Sequence, residues 1–428
     1  MQASKTVTVA VTCYPVRGPP GRQWSEGRGR VTQSSVVARK DSPRKLQIVE
    51  QAGSLFQQRG FHQVSMDDIA QAVGLRGPAL YRHFRSKHEL LARVVLEQIT
   101  ICLDVAEAAA GSGGSPRQRL ERFIGDLARL ALDRDEIMLW RRERRRLDET
   151  AQIEFRLRAR RLEACASAVL RDVRTDLDDS EIKLVSWALL STFAHTQGFR
   201  RAADSAGGRQ RGWGVLVQMA TAVAFCDLSA TRSRGKGSAA RDYVPLGRRE
   251  RILETTTRLF DDRGFVEVSI EDIAAESDTA IATIYQYFEN KASLLYTILN
   301  RGIEGVNYAT THLLAGVESD DVVIDALIGN YIDLAMGPHR RMFGIFDEEL
   351  MALPEQQRAA LLLAHRGHID EWVGALQRVR PGLTVFEARA RARTATGVAS
   401  DIAQTAHLRE QPSTPAALTA ILSAIVRG

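Results

Sequence analysis

The sequence predicts an all-α fold made of two tandem copies of one unit. Three observations lead there. The chain contains a long internal repeat, its apolar residues recur at spacings of three and four, and no alternating strand-like run interrupts that pattern. With 428 residues, 44% of them hydrophobic and 26% charged, it has room for several buried cores without disulfide or metal staples.

The repeat is direct. Residues 60–70 read GFHQVSMDDIA and residues 264–274 read GFVEVSIEDIA, an offset of 204. Aligned without gaps from Arg44 and Arg248 to four residues past Leu91 and Leu295, 18 of 52 positions are identical, several times the chance level. A period of this length suits two whole domains rather than a solenoid. The expected organisation is a disordered basic tail over 1–42, a compact first module over 43–95 and a helical domain over 96–228. A linker over 229–246 follows, then a second module over 247–299 and a second helical domain over 300–428. The tail holds seven Lys or Arg against two acids, and the linker is rich in Gly, Ser and Arg.

Each element has a local cause. Ser42-Pro43 is an N-cap followed by proline at the first helical position. Ile48, Val49, Ala52, Leu55 and Phe56 then form one apolar face, and Gly60 ends the helix. Ile252, Leu253, Leu259, Phe260 and Gly264 repeat the arrangement. Ser65 and Asp68 form a capping box that opens a short helix through Val73, with Ile69, Ala70 and Val73 facing inward. Gly74-Leu75 is a tight turn. Arg76 to Phe84 is a second short helix that tolerates Pro78 in its first turn. Ser86 to Glu89 is another capping box, opening a longer helix. Two short helices across a Gly-containing turn, braced by a preceding helix, make a helix-turn-helix.

These residues resemble the TetR/AcrR family of transcriptional regulators. The pattern is LF..RGF, VSMDDIA, ALYRHF, SK and ELL in the first copy, and LF..RGF, VSIEDIA, TIYQYF, NK and SLL in the second. The resemblance is strong over about 50 residues of each half and weaker beyond. It implies two TetR-like units, each a three-helix DNA-binding module followed by a ligand-binding and dimerisation domain. It further implies a repressor that binds a double-stranded DNA operator and is released by a small-molecule effector, lipophilic or acyl-CoA-like. Members of this family act as homodimers. Two copies in one chain allow either an intramolecular pseudo-dimer or a homodimer with four modules. The predicted dimerisation helices carry Trp187, Leu189, Leu190 and Phe193, then Val215, Leu216, Met219 and Val223, with 388–402 and 417–425 as counterparts.

By family position, Ser65 holds a phosphate at a helix start. Arg76, Gly77 and Ala79 open the recognition helix, where Arg76 can bond a guanine edge. Tyr81 and Lys87 match backbone-contacting positions, and Arg82 adds charge. Thr283, Tyr285 and Lys291 are the counterparts in the second module. That module is the weaker reader: residues 278–292 carry net charge −1, compared with +4 over 74–88. It either reads a half-site through apolar contacts or serves as a structural partner.

Tyr331, Phe343, Phe346 and Trp372 are the expected lining of an apolar effector pocket in the second unit. The run Trp140 to Arg146, with Arg156, Arg158, Arg160 and Arg161, reads as a solvated or ion-paired face, or alternatively as a site for an anionic effector. His365 and His368 read as a surface pair without the partners of a metal site. No catalytic residue and no cofactor is predicted, since nucleophile-elbow, P-loop and zinc-protease motifs are missing. The sequence offers no transmembrane run and no secretory signal, and its four cysteines are widely spaced, which predicts a cytoplasmic protein. The net charge of +6 suits a polyanionic partner. The competing reading is a ligand sensor that keeps the fold and binds no DNA.

Overall fold

The computed structural model describes residues 42–134, 139–195, 208–229, 245–317, 319–337 and 339–428. The predicted basic tail and nearly all of the predicted linker lie outside the described residues.

The first repeat comprises α1 (Pro43–Arg59), α2 (Met66–Ala72), α3 (Gly77–Leu80), α4 (Lys87–Ala110), α5 (Pro116–Asp133), α6 (Trp140–Glu143), α7 (Glu149–Arg171), α8 (Asp179–Thr192) and α9 (Gly208–Ala224). The second comprises α10 (Arg248–Arg263), α11 (Ile270–Glu276), α12 (Ile281–Tyr287), α13 (Lys291–Ala315), α14 (Asp320–Met336) and α15 (Arg340–Glu349). It continues with α16 (Glu355–Val379), α17 (Val385–Gln404), α18 (Ala406–Arg409) and α19 (Thr414–Arg427). Short 3-10 turns follow α6 and α15 at Arg144–Arg146 and Leu350–Ala352. Among the described residues there is no strand, and the fold is all-α.

The caps predicted at Ser42 and Ser65 form, whereas at Ser86 the hydroxyl caps the Glu89 amide but Glu89 accepts from the Arg85 amide at 2.7 Å, so that box does not close. Ser42 accepts from the Lys45 amide and Pro43 opens α1. Ser65 with Asp68, and Ser269 with Asp272, close reciprocal capping boxes at the starts of α2 and α11. The turn after these helices is the same in both copies, although Gly74 is replaced by Asp278. Both residues are left-handed, at φ 66° and 50°. In both copies the next amide reaches back five residues, Leu75 to the Ala70 carbonyl at 2.8 Å and Thr279 to the Ala274 carbonyl at 3.0 Å. Asp is one of the few side chains that tolerate this region, so the turn survives its glycine.

The first recognition helix is shorter than predicted. α3 covers only Gly77–Leu80, and Tyr81 to His83 continue as turns. Gly77 and Pro78 are poor helix formers, whereas α12 has neither and runs over seven residues. The repeat offset also slips. The 3-10 turns and the helices after them align at an offset of 206, Leu147 with Leu353 and Glu149 with Glu355. The offset of 204 seen in the N-terminal modules therefore does not extend to this part of the repeat.

The four helices expected to form a dimer interface pack on one another inside this single chain. α8 and α9 of the first repeat meet α17 and α19 of the second as a four-helix bundle. Val185, Leu189, Leu216, Met219, Val398 and Ile421 are buried in one continuous apolar cluster that crosses the repeat boundary. A second cluster fills the other helix-turn-helix and its contacts with α13, α15 and the start of α16. No helix of the described residues is long and apolar enough to cross a membrane.

A Cβ at Gly74 would meet no atom within 4 Å, so Gly74→Ala tests backbone strain alone. It should cost about 1–2 kcal/mol in denaturant unfolding, and Gly74→Asp should cost less.

Candidate nucleic-acid interface and effector cavity

The first module presents its recognition face to solvent. Arg76, Pro78, Tyr81, Arg82 and Arg85 are exposed, and neither the Arg76 nor the Arg82 guanidinium has a partner among the described residues. Tyr81 is 53% exposed and Tyr285 52%, which makes both surface residues rather than core-edge aromatics. Ala79 is half-buried. Gly77 sits where α3 crosses α2, and a Cβ there would fall 2.4 Å from the Asp67 carboxylate. Gly77 thus lets the two helices approach, a packing role instead of a contact to bases.

Two residues expected to hold phosphate are otherwise engaged. The Ser65 amide and hydroxyl both donate to Asp68, at 2.7 and 2.5 Å, and hold that carboxyl below its ordinary range. Lys87 donates to the carbonyls of Phe61 and Val64, each at 2.9 Å, with its ammonium 4.4 Å from the Phe61 ring centre. Lys291 repeats this on Val266 and Val268 at 3.3 and 2.8 Å, over Phe265. Burial pushes both lysines below the usual ammonium range. These lysines clamp the loop before α2 and α11, leaving each one N–H.

The second module presents a different face. Ile281 and Tyr287 are exposed beside Tyr285, Thr283 is half-buried, and Gln286 and Glu289 stand where the first module has Arg82 and Arg85. This face is more apolar than that of the first module and carries Glu289 in place of Arg85.

The second repeat encloses a cavity with about 430 Å³ of empty space, its mouth included. Three of the four predicted residues line it, namely Tyr331, Phe343 and Phe346. Trp372 does not. It is fully buried one layer behind, edge-on to Tyr331 and donating to His368 at 3.3 Å. The histidines read as a surface pair instead face the cavity. At a spacing of three they fall on the inner face of α16, with Leu361 and Trp372. Burial brings each ring down to about 4, so both are neutral at pH 7. Asp347 lines the wall at its exposed rim. The Tyr331 hydroxyl meets Ser400 at 3.1 Å. The spacing of His365 and His368 with Trp372 was the available signal for the polar side of this wall. Asp347 and Ser400 had none.

The arginines proposed for an anionic effector pair with carboxylates instead. Arg141 binds Asp401, Arg145 binds Glu348 at 2.9 Å, and Arg146 binds Glu143 at 2.7 Å and Glu349 at 3.1 Å. Arg158 donates to Glu154, Thr100 and the Leu96 carbonyl, and Arg161 pairs with Glu107.

The family model for bacterial regulatory proteins, tetR family, matches this chain twice, over residues 48–94 and 252–297. The chain is 35% identical over 81 residues to the HTH-type transcriptional activator FasR of Mycolicibacterium smegmatis, covering 19% of this chain and 37% of that protein. It is 35% identical over 63 residues to the HTH-type transcriptional repressor KstR of the same organism, covering 15% of this chain and 31% of that one. The matches therefore span less than half of either relative's length. Among solved structures, a TetR-family transcriptional regulator from Bordetella parapertussis is 22% identical with a TM-score of 0.40, covering 43% of this chain and 96% of that one.

Two outcomes follow from this geometry. Lys87→Ala leaves two loop carbonyls unpaired and should destabilise the fold by about 1–3 kcal/mol. On any duplex the protein binds, the slope of affinity against salt should stay unchanged, whereas loss of a phosphate contact would lower it by about 0.9. The cavity histidines make the fold acid-sensitive. Their folded values lie below the ordinary 6.5, so their contribution is complete above that pH and is lost as pH falls toward 4. His368→Gln should therefore lose less melting temperature than the parent between pH 7 and pH 4.5.

Proposed function

Because the chain belongs to the TetR family of bacterial regulatory proteins, with two family units in tandem, we propose that it is a sequence-specific DNA-binding transcriptional regulator. It acts as a repressor that a small molecule in the second repeat's cavity releases from its operator. The observation that carries this reading is the exposed, unpartnered recognition face of the first module, Arg76 and Arg82 beside Tyr81. Unpaired guanidiniums at the start of a recognition helix suit guanine edges and phosphates. The second module, with Thr283 and Tyr285 beside exposed Ile281, supplies a weaker half-site contact through thymine methyl groups.

The chemistry of the cavity favours a lipophilic effector over an acyl-CoA-like one. Its wall is Ile303, Val306, Met342, Phe343 and Phe346 on one side, with neutral hydrogen-bonding groups and Asp347 on the other. No Lys or Arg lines it to hold a phosphate or carboxylate.

Selection of bound sequences from a random duplex library tests the regulator reading. A recovered motif supports it, and no motif at physiological salt leaves a ligand sensor in its place. Arg76→Ala should cost about 1–3 kcal/mol and relax base preference at one position. Arg82→Ala should weaken all sequences alike and lower the salt slope by about 0.9. Val306→Phe, which narrows the cavity, should abolish uptake of the neutral apolar probe N-phenyl-1-naphthylamine and leave DNA affinity unchanged.

A further inference from the structure

The arginine-rich segment around α6 faces an acidic segment around α15, and the two belong to different repeats. At the offset of 206 that aligns their 3-10 turns, Arg141 corresponds to Asp347, Arg142 to Glu348 and His195 to Asp401. Arg141 and Arg142 thus stand where the second repeat has acids, while Glu143 and Glu349 keep the same charge in both.

These residues meet around a pseudo-twofold axis. His195 Nε2 lies 2.8 Å from Asp401 Oδ2, a contact between equivalent positions, as only residues on the axis can make. The neighbouring contacts are reciprocal. Ser191 donates to Asp401, and its counterpart Gly397 packs on the His195 ring so closely that a Cβ there would clash. Arg141 completes the cluster on Asp401, and Asp347 lies in the field of Arg141, His195 and Asp401. Further out, Arg145 pairs with Glu348 and Arg146 with Glu349. Arg145 and Asp347 reach solvent, while the central groups are largely buried, Arg141 at 18% exposed, Asp401 at 11% and Glu349 at 5%. Charges so placed are costly when they lose their partners.

We infer that this junction is a pairing code: it matches the first repeat to the second and excludes pairing of either repeat with its own kind, so that one chain is a complete, obligate heterodimer. Two first repeats would place His195 against His195 beside two Arg141 side chains. Two second repeats would place Asp401 against Asp401 beside two Asp347 side chains. Like pairing brings two Arg141 guanidiniums together in the first case and two Asp401 carboxylates in the second, whereas the unlike pair sets Arg141 against Asp401. This inference does not depend on DNA binding, so it stands or falls separately from the regulator reading.

The test uses the full chain. Light scattering after size exclusion at micromolar concentration should give the mass of one chain, 47.4 kDa. Arg141→Asp and Asp401→Arg should each lower the melting temperature by several degrees, and the double swap should recover most of the combined loss. Arg141→Gln with Asp347→Asn and Asp401→Asn removes the discrimination without adding repulsion, and should let chain dimers appear. Should the reversals fail to fold, the Arg141→Gln and Asp401→Asn cycle should still show non-additive melting shifts. A parent chain that runs as a dimer, or additive effects in either cycle, would overturn the inference.

Discussion

The interaction on which the rest of this molecule depends is the contact between its two repeats. Two kinds of force act there and do different work. The four-helix bundle of α8, α9, α17 and α19 buries large aliphatic side chains, each worth roughly 1.5–3 kcal/mol, and supplies most of the cohesion. Such a surface discriminates poorly, since one apolar helix face packs acceptably on another. The ionic junction beside it adds little net energy once desolvation is counted, but it has sign and direction. The bundle holds the repeats together, and the charges determine which repeats are held.

The junction also positions the two helix-turn-helix modules. Within the first repeat, Arg142 donates to the Phe56 carbonyl at the end of α1, and Arg146 reaches His62. Across the boundary, Arg145 donates to the Asp261 carbonyl at 2.7 Å, and Met351 packs on Gly60. Glu349 accepts from the Phe265 amide at the matching corner of the second module. Each module is therefore braced by its own repeat and by the other one. A duplex that engages both modules meets a spacing fixed by these contacts, since the last turn of each first helix is tied to the same ionic segment.

Much of this was legible in the sequence, because the signals were local. Capping boxes at Ser65 and Ser269, apolar spacing in α1 and α10, and the turn at Gly74 each rest on residues within one or two helical turns. The partners that the sequence did not show lie far along the chain. Arg141 and Asp401 are 260 positions apart, and a run of arginines carries no mark of the carboxylates it will meet. Lys87 is similar. Its spacing after the recognition helix is the family's, but the carbonyls of Phe61 and Val64 that take its protons are set by how α4 crosses the preceding loop. His365 and His368 had helical spacing in their favour, and the packing of their face of α16 on α14 and α13 turned them from solvent to cavity.

Duplication within one chain removes a constraint that a homodimer cannot escape. In a homodimer every substitution appears twice, so a residue suited to sensing must be tolerated in both protomers. Here the copies have diverged at the same places. His365 and His368 correspond to Ala159 and Leu162, Asp347 to Arg141, and Phe346 to Trp140. In the first repeat that space is filled, with Trp140 and Leu162 buried and the Trp140 ring 5.5 Å from Phe155. The second repeat keeps it open and polar-edged. The recognition faces diverge in the opposite sense, with Arg76, Arg82 and Arg85 on the first and Ala280, Gln286 and Glu289 on the second. Charge for a polyanion has gathered on one repeat and space for a small molecule on the other. Asp347 both lines the cavity and lies in the field of Arg141, His195 and Asp401 at the contact between the repeats.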